Sequence, residues 1–147
     1  MLKNILYSLL FSTVALMALE TGDSVPQNIQ DRLKLESDKV YVVDFFASWC
    51  KSCKKELPLI TNVYNEKIAE VIGINVDKNQ EDGEKFVKEL ELAFPIVYDS
   101  DKSLVETFNP LGFPAVYYVK NGQILNVIFG AVEEIDKKIK EDIKAIK

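Results

Sequence analysis

A mixed β-sheet with helices packed on both faces is the fold class this sequence predicts, and three patterns carry that reading. Val40-Tyr41-Val42-Val43-Asp44-Phe45-Phe46 and Val71-Ile72-Gly73-Ile74-Asn75-Val76 are continuous, β-branched and aromatic runs. Such runs belong to strands covered on both faces. Stretches with helical spacing of apolar residues lie between and after them. Near the C-terminus two more strand-like runs meet across Asn121-Gly122, the strongest short hairpin signal. The order β-α-β-α, then a hairpin, then a helix, puts parallel and antiparallel strands into one sheet.

Each element has its own justification. Lys3 gives a basic start, and residues 5–19 are mostly apolar and carry no charge. That length is short for a membrane span and suits the core of a signal peptide. Cleavage after Ala18 would leave Leu16, not a small residue, at the −3 position. Residues 1–19 are therefore read as a signal peptide or an N-terminal membrane anchor, and either one exports the domain behind it. Residues 20–36 read as a polar linker and lead-in, with Ile29, Leu33 and Leu35 marking a short helix. The domain proper is expected over residues 37–147.

After the first strand, residues 51–67 read as a helix kinked at Pro58, where a backbone N–H is missing. Residues 80–92 are helical, with Phe86, Val87, Leu90 and Ala93 on one face and Gly83 weakening the first turn. Residues 95–98 form a short extended piece, and residues 101–108 a short helix. Residues 115–119 and 123–129 are the hairpin strands. Ile135, Ile139, Ile143 and Ile146 line one face of a last helix.

Composition narrows the chemistry. A chain of 147 residues that is 48% hydrophobic can build one globular core. The net charge of −5 without a basic patch argues against nucleic acid as a partner. There is no histidine. Histidine-based zinc sites, haem ligation, Ser-His and Cys-His catalysis and a histidine general base are thereby excluded. Proton transfer falls to carboxylates, lysines, tyrosines or water.

Cys50 and Cys53 are the only cysteines, inside Trp49-Cys50-Lys51-Ser52-Cys53. A bridge closing so small a loop removes little chain entropy, so stapling is a poor reason to keep it. Two thiols at this spacing can open and close as a redox unit. The strand ends just before them and a helix begins at Cys50, whose free N–H groups and dipole favour a thiolate. An inert surface disulfide or a two-thiolate metal site is the competing reading. Two soft ligands without further Cys or His make a weak zinc site. Asp44 is a charge in a buried strand, where an unpaired carboxylate costs too much to stay ionised and its pKa should rise. Glu56 lies three residues past Cys53, about one helical turn.

Val43-Asp44-Phe45-Phe46-Ala47-Ser48-Trp49-Cys50-Lys51-Ser52-Cys53 resembles the active-site segment of thioredoxins. Gly112-Phe113-Pro114 before a strand resembles their cis-proline loop, and Lys120-Asn121-Gly122-Gln123 their terminal hairpin. Within that superfamily, Cys53-Lys54-Lys55-Glu56-Leu57-Pro58 and Phe94-Pro95-Ile96-Val97-Tyr98-Asp99-Ser100-Asp101 resemble the TlpA/ResA-like branch. The resemblance runs from about residue 37 to the C-terminus and implies a thioredoxin-like fold.

It also implies an exported thiol–disulfide oxidoreductase, used mainly as a reductase, that needs no bound cofactor or metal because the dithiol is the redox group. Cys50 is then the nucleophile and Cys53 the resolving thiol. Asp44 and Glu56 are the acids that tune and deprotonate the pair. Trp49, Phe113 and a cis Pro114 bind substrate. Members of the branch reduce protein disulfides outside the cytoplasm, apocytochrome c among them, with electrons from a membrane donor. Alternatives are an exported disulfide oxidase or isomerase, and a redox-inert binding module or metallochaperone. Peroxidase chemistry is disfavoured: no Pro-xxx-Thr-xx-Cys arrangement occurs, and Trp49 precedes Cys50 instead.

Overall fold

The computed structural model describes residues 17–146, so the export segment read over residues 1–19 lies almost wholly outside the described residues. Among those described, no helix is long and apolar enough to cross a membrane. The elements in chain order are α1 (Gln27–Leu33), β1 (Val40–Phe46), α2 (Lys51–Asn65), β2 (Glu70–Asn75), α3 (Gln80–Glu89), β3 (Ile96–Tyr98), α4 (Ser103–Phe108), β4 (Ala115–Lys120), β5 (Gln123–Phe129) and α5 (Ile135–Ile146).

One five-stranded sheet runs in the order β3-β2-β1-β4-β5. β1 pairs in parallel with β2, and β2 with β3, while β4 lies antiparallel to both β1 and β5. The mixed sheet follows from the connections. A helical crossover joins parallel strands, and a two-residue turn joins antiparallel ones. Asn121 (φ 52) and Gly122 (φ 71) both take the positive φ that such a turn requires. The extended piece at residues 95–98 becomes the edge strand β3, pairing Gly73 with Ile96 and Ile74 with Val97.

Strand alternation sorts the core into two layers. Tyr41, Val43 and Phe45 pack with Ile29 and Leu33 of α1 and with Leu104 and Phe108 of α4. Val42 and Phe46 face the other way and pack with Leu57 and Ile60 of α2, Phe86 of α3, and Ile135 and Ile139 of α5. Helices therefore cover both faces. Asp44 sits between Val42 and Phe46 in the alternation and belongs to the face under α2.

Residues 20–30, read as a linker, are docked on the domain. Gly22 N–H donates to the Ile124 carbonyl at 2.8 Å and Val25 N–H to the Gly122 carbonyl at 2.8 Å. Val25 is buried beside Ile29. α2 stops at Asn65, short of residue 67, because Lys67 turns to φ 54. α3 stops at Glu89 for the same reason at Glu91 (φ 51). α2 runs past Pro58, which withholds one donor from the ladder without ending the helix.

Candidate active site

β1 and β2 run in parallel and end at the same edge, with Phe46 opposite Asn75. The chain leaves β1 there, turns through Ala47-Ser48-Trp49, and enters α2 with Cys50 as its N-cap. Cys50 and Cys53 are joined by a disulfide, with Cα atoms 5.2 Å apart. Cys53 N–H donates to Cys50 Sγ at 3.2 Å. The first turn of a helix has N–H groups without intrahelical partners, and here one is aimed at the sulfur that starts the helix. Cys50 is 7% exposed and Cys53 fully buried. Attack from outside can therefore reach Cys50, while Cys53 is screened by its own helix.

The turn before Cys50 is pinned from β2. Asp77 is buried and accepts from Ser48 N–H at 2.9 Å, from Ser48 Oγ–H at 2.6 Å and from Asn75 Nδ2 at 2.7 Å. Sequence reasoning missed Asp77. The available signal was an acidic residue just past β2, at the edge where the neighbouring strand delivers the cysteines.

Asp44 and Glu56 are both buried, and none of their carboxyl oxygens has a hydrogen-bond partner among the described residues. Burial pushes the Asp44 carboxyl well above its ordinary range, and the Glu56 charge adds to the rise. Burial also raises Glu56, 4% exposed, to about 7. The Val132 backbone amide pulls against that rise without closing a hydrogen bond on either oxygen. Asp44 lies on the sheet face under α2 and Glu56 on the buried side of α2 itself, and for both the loss of water is the main cause of the rise.

Trp49 is 63% exposed, and its ring meets Phe113 edge-on at 5.7 Å between centroids. The Phe113–Pro114 peptide is cis. The Pro114 carbonyl accepts from Gly130 N–H at 2.9 Å, which ties the loop to the end of β5. Phe113 itself has no backbone hydrogen bond to the described residues. A shallow cleft of about 460 Å³ opens beside the disulfide, lined by Trp49, Cys50, Lys51, Ser52, Lys55 and Ala131. A larger cavity of about 600 Å³ lies at the opposite pole, around Val40, Tyr64 and Ile68, where no redox group is present. No cluster of potential metal ligands occurs among the described residues. The arrangement can exchange a disulfide: an accessible sulfur at a helix start, a screened partner, two buried acids behind and an apolar rim in front.

Comparison with known proteins agrees with this geometry. The AhpC/TSA family profile matches residues 17–128. A protein of Bacillus thuringiensis subsp. konkukian described as thiol-disulfide oxidoreductase ResA is 29% identical over 118 residues, 78% of this chain and 67% of that protein. A protein of the same description from Geobacillus kaustophilus is 28% identical over 141 residues, covering 88% of this chain and 80% of that one. Among solved structures, StoA from Bacillus subtilis superposes with a TM-score of 0.65 at 27% identity, over 72% of this chain and 83% of that one. A putative thiol:disulfide interchange protein DsbE from Chlorobium tepidum reaches a TM-score of 0.73 over 87% of this chain and 98% of its own, and at 21% identity it speaks for the fold alone. The chain belongs to the AhpC/TSA family, has a thioredoxin-like fold, and stands on the ResA-like branch of thiol–disulfide oxidoreductases.

Proposed function

We propose that this protein reduces disulfides of exported substrate proteins through a Cys50–Cys53 dithiol. The observation that carries the reading is the asymmetry of the pair: Cys50 is the N-cap of α2 and touches the cleft, while Cys53 is fully buried one turn inward. Cys50 thiolate, favoured by the helix start and the Cys53 N–H, attacks one sulfur of a substrate disulfide and expels the other as a thiolate, which takes a proton. Cys53 then loses its proton, attacks the Cys50 sulfur and releases the second substrate thiol. The substrate gains two electrons and two protons; Cys50 and Cys53 lose them and close their own disulfide.

The proton from Cys53 goes to the buried acids. With its carboxyl raised to about 7, Glu56 has an affinity matched to accepting a proton near neutrality, and burial likewise raises Asp44 well above the ordinary carboxylate range. Trp49 and Phe113 give substrate an apolar surface, and the unpaired Phe113 backbone is free to bond an extended segment. No bound cofactor enters this scheme. Export by residues 1–19, a periplasmic or otherwise extracytoplasmic location, apocytochrome c as one substrate and a thiol donor at the membrane complete the proposal. Each is supported by the resemblance to the TlpA/ResA-like branch.

The test is capture of substrates on a Cys53→Ser variant in its own compartment, alongside insulin reduction by the purified protein. Mixed disulfides through Cys50 with proteins that are otherwise oxidised support the reading. A pair that only oxidises added dithiols, and never reduces insulin when supplied with reductant, would sink it.

A further inference from the structure

The cleft beside the disulfide has a charge that the chain as a whole does not. The net charge is −5, yet residues 45–55 contain Lys51, Lys54 and Lys55 and no Asp or Glu. All three lysines are exposed, and none forms an ion pair with the described residues. The acid nearest in sequence, Glu56, faces the buried side of the same helix and is not at the surface beside them. Lys54 leans into a separate cleft that also holds Asp82 and Glu89. Lys51 and Lys55 instead line the cleft with Trp49 and Cys50, and no carboxylate lines it. Of the two acids in the loop after Ala131, Glu134 is held by Lys137, while Glu133 is exposed and does not line the cleft.

Beyond the Trp49 ring, which meets Phe113 edge-on, the neighbouring loop is uncharged. Residues 109–119 contain no charged side chain. Leu111 is 77% exposed on this loop, and Phe113 is half-buried between the core and the Trp49 ring, so Trp49 and Leu111 are the large apolar side chains exposed here. A binding surface with an apolar floor and a one-sign rim selects a ligand of matching pattern.

We propose that the cleft docks substrate segments in which the disulfide is flanked by carboxylates and an apolar residue, the apolar group lying on Trp49 and Phe113 and the carboxylates meeting Lys51 and Lys55. The inference rests on the reductase reading above and adds the substrate class to it. Lys55 is the residue to test, because it lines the cleft yet lies outside the Cys50–Cys53 loop.

The experiment compares three disulfides reduced by the full-length, pre-reduced protein. Two are synthetic cystine peptides, identical except that Glu or Lys flanks the cystine, each with one Phe. The third is bis(2-hydroxyethyl) disulfide, which is neutral. The acidic peptide should be reduced about fivefold faster than the basic one at low ionic strength, an advantage that fades near 0.5 M salt as screening sets in. Lys55→Gln should bring the peptide ratio close to one, with each peptide rate divided by that of the neutral disulfide so that any change in thiol reactivity common to all three cancels. Equal rates for the two peptides, or a faster basic peptide, with normal turnover of the neutral disulfide would overturn the docking inference and leave the reductase reading intact. Failure to reduce any of the three would remove the reductase reading itself.

Discussion

At the scale of single residues, the two sulfurs and the two acids do different work. Cys50→Ser should abolish insulin reduction. Cys53→Ser should still attack but fail to resolve, so adducts accumulate on Cys50 and are visible on non-reducing gels; adducts through Cys53 alone would reverse the assignment. Glu56 gives a pH prediction with a definite sign. Its carboxyl ionises near 4.5 when exposed and at about 7 in the fold, so the fold disfavours the charged form. No penalty applies below pH 4.5; it grows through the interval and levels off above 7. The full difference is worth about 3 kcal/mol at most. Glu56→Gln should therefore gain stability relative to the parent between pH 5 and pH 8 in urea unfolding of the oxidised protein. The same change should lower the thiol pKa values, because a nearby carboxylate opposes a second negative charge. A stability difference independent of pH would refute the ionisation assigned to Glu56.

At the scale of elements, the site depends on how β1 and β2 deliver their ends to one edge. Asp77 joins the tail of β2 to the Ser48 turn by accepting three hydrogen bonds, one of them from Asn75. Asp77→Ala leaves Ser48 N–H without its partner beside the cysteines. It should cost about 2–4 kcal/mol and slow insulin reduction more than a surface substitution of equal size, measured by unfolding and by turbidity. Gly73 is the register partner of Asp44 on β2. A Cβ there would stand 2.7 Å from Ile96 Cδ1 and 2.9 Å from a Phe94 ring carbon. Gly73→Ala should cost about 1–3 kcal/mol by overpacking, and an unchanged unfolding midpoint would show that the β3 side gives way freely.

At the scale of the whole molecule, residues 19–33, ahead of β1, are part of the folded body. Leu19 N–H donates to the Phe108 carbonyl at 2.9 Å, and the Asp23 carbonyl accepts from Ile124 N–H at 2.9 Å. A chain begun at residue 19 should unfold like the intact domain. One begun at residue 26 loses these bonds together with the burial of Val25, and should be less stable by about 2–4 kcal/mol. Equal midpoints for the two truncations would reduce the lead-in to decoration. Export is tested separately: residues 1–24 fused to a reporter active only outside the cytoplasm should yield activity, and intact protein confined to the cytosol would remove the compartment from the proposed function.

The fold class, the order of elements and the redox pair were legible because each is written locally. Buried strands show as unbroken apolar runs, the hairpin as Asn121-Gly122, and the redox unit as two cysteines where a strand gives way to a helix. Asp44 was legible as a misfit, a charge in an apolar run. What only the tertiary structure decided depends on residues far apart in the chain. Asp77 reaches Ser48 across 29 residues because parallel strands end together. Residues 95–98 became a strand by pairing with β2. The stretch read as a linker folded down because β5 and its hairpin offered it partners. The lysines around Cys50 look ordinary in a chain that is acidic overall. They form a one-sign rim only because α2 turns Glu56 inward, and no local pattern records which side of a helix its neighbours will cover.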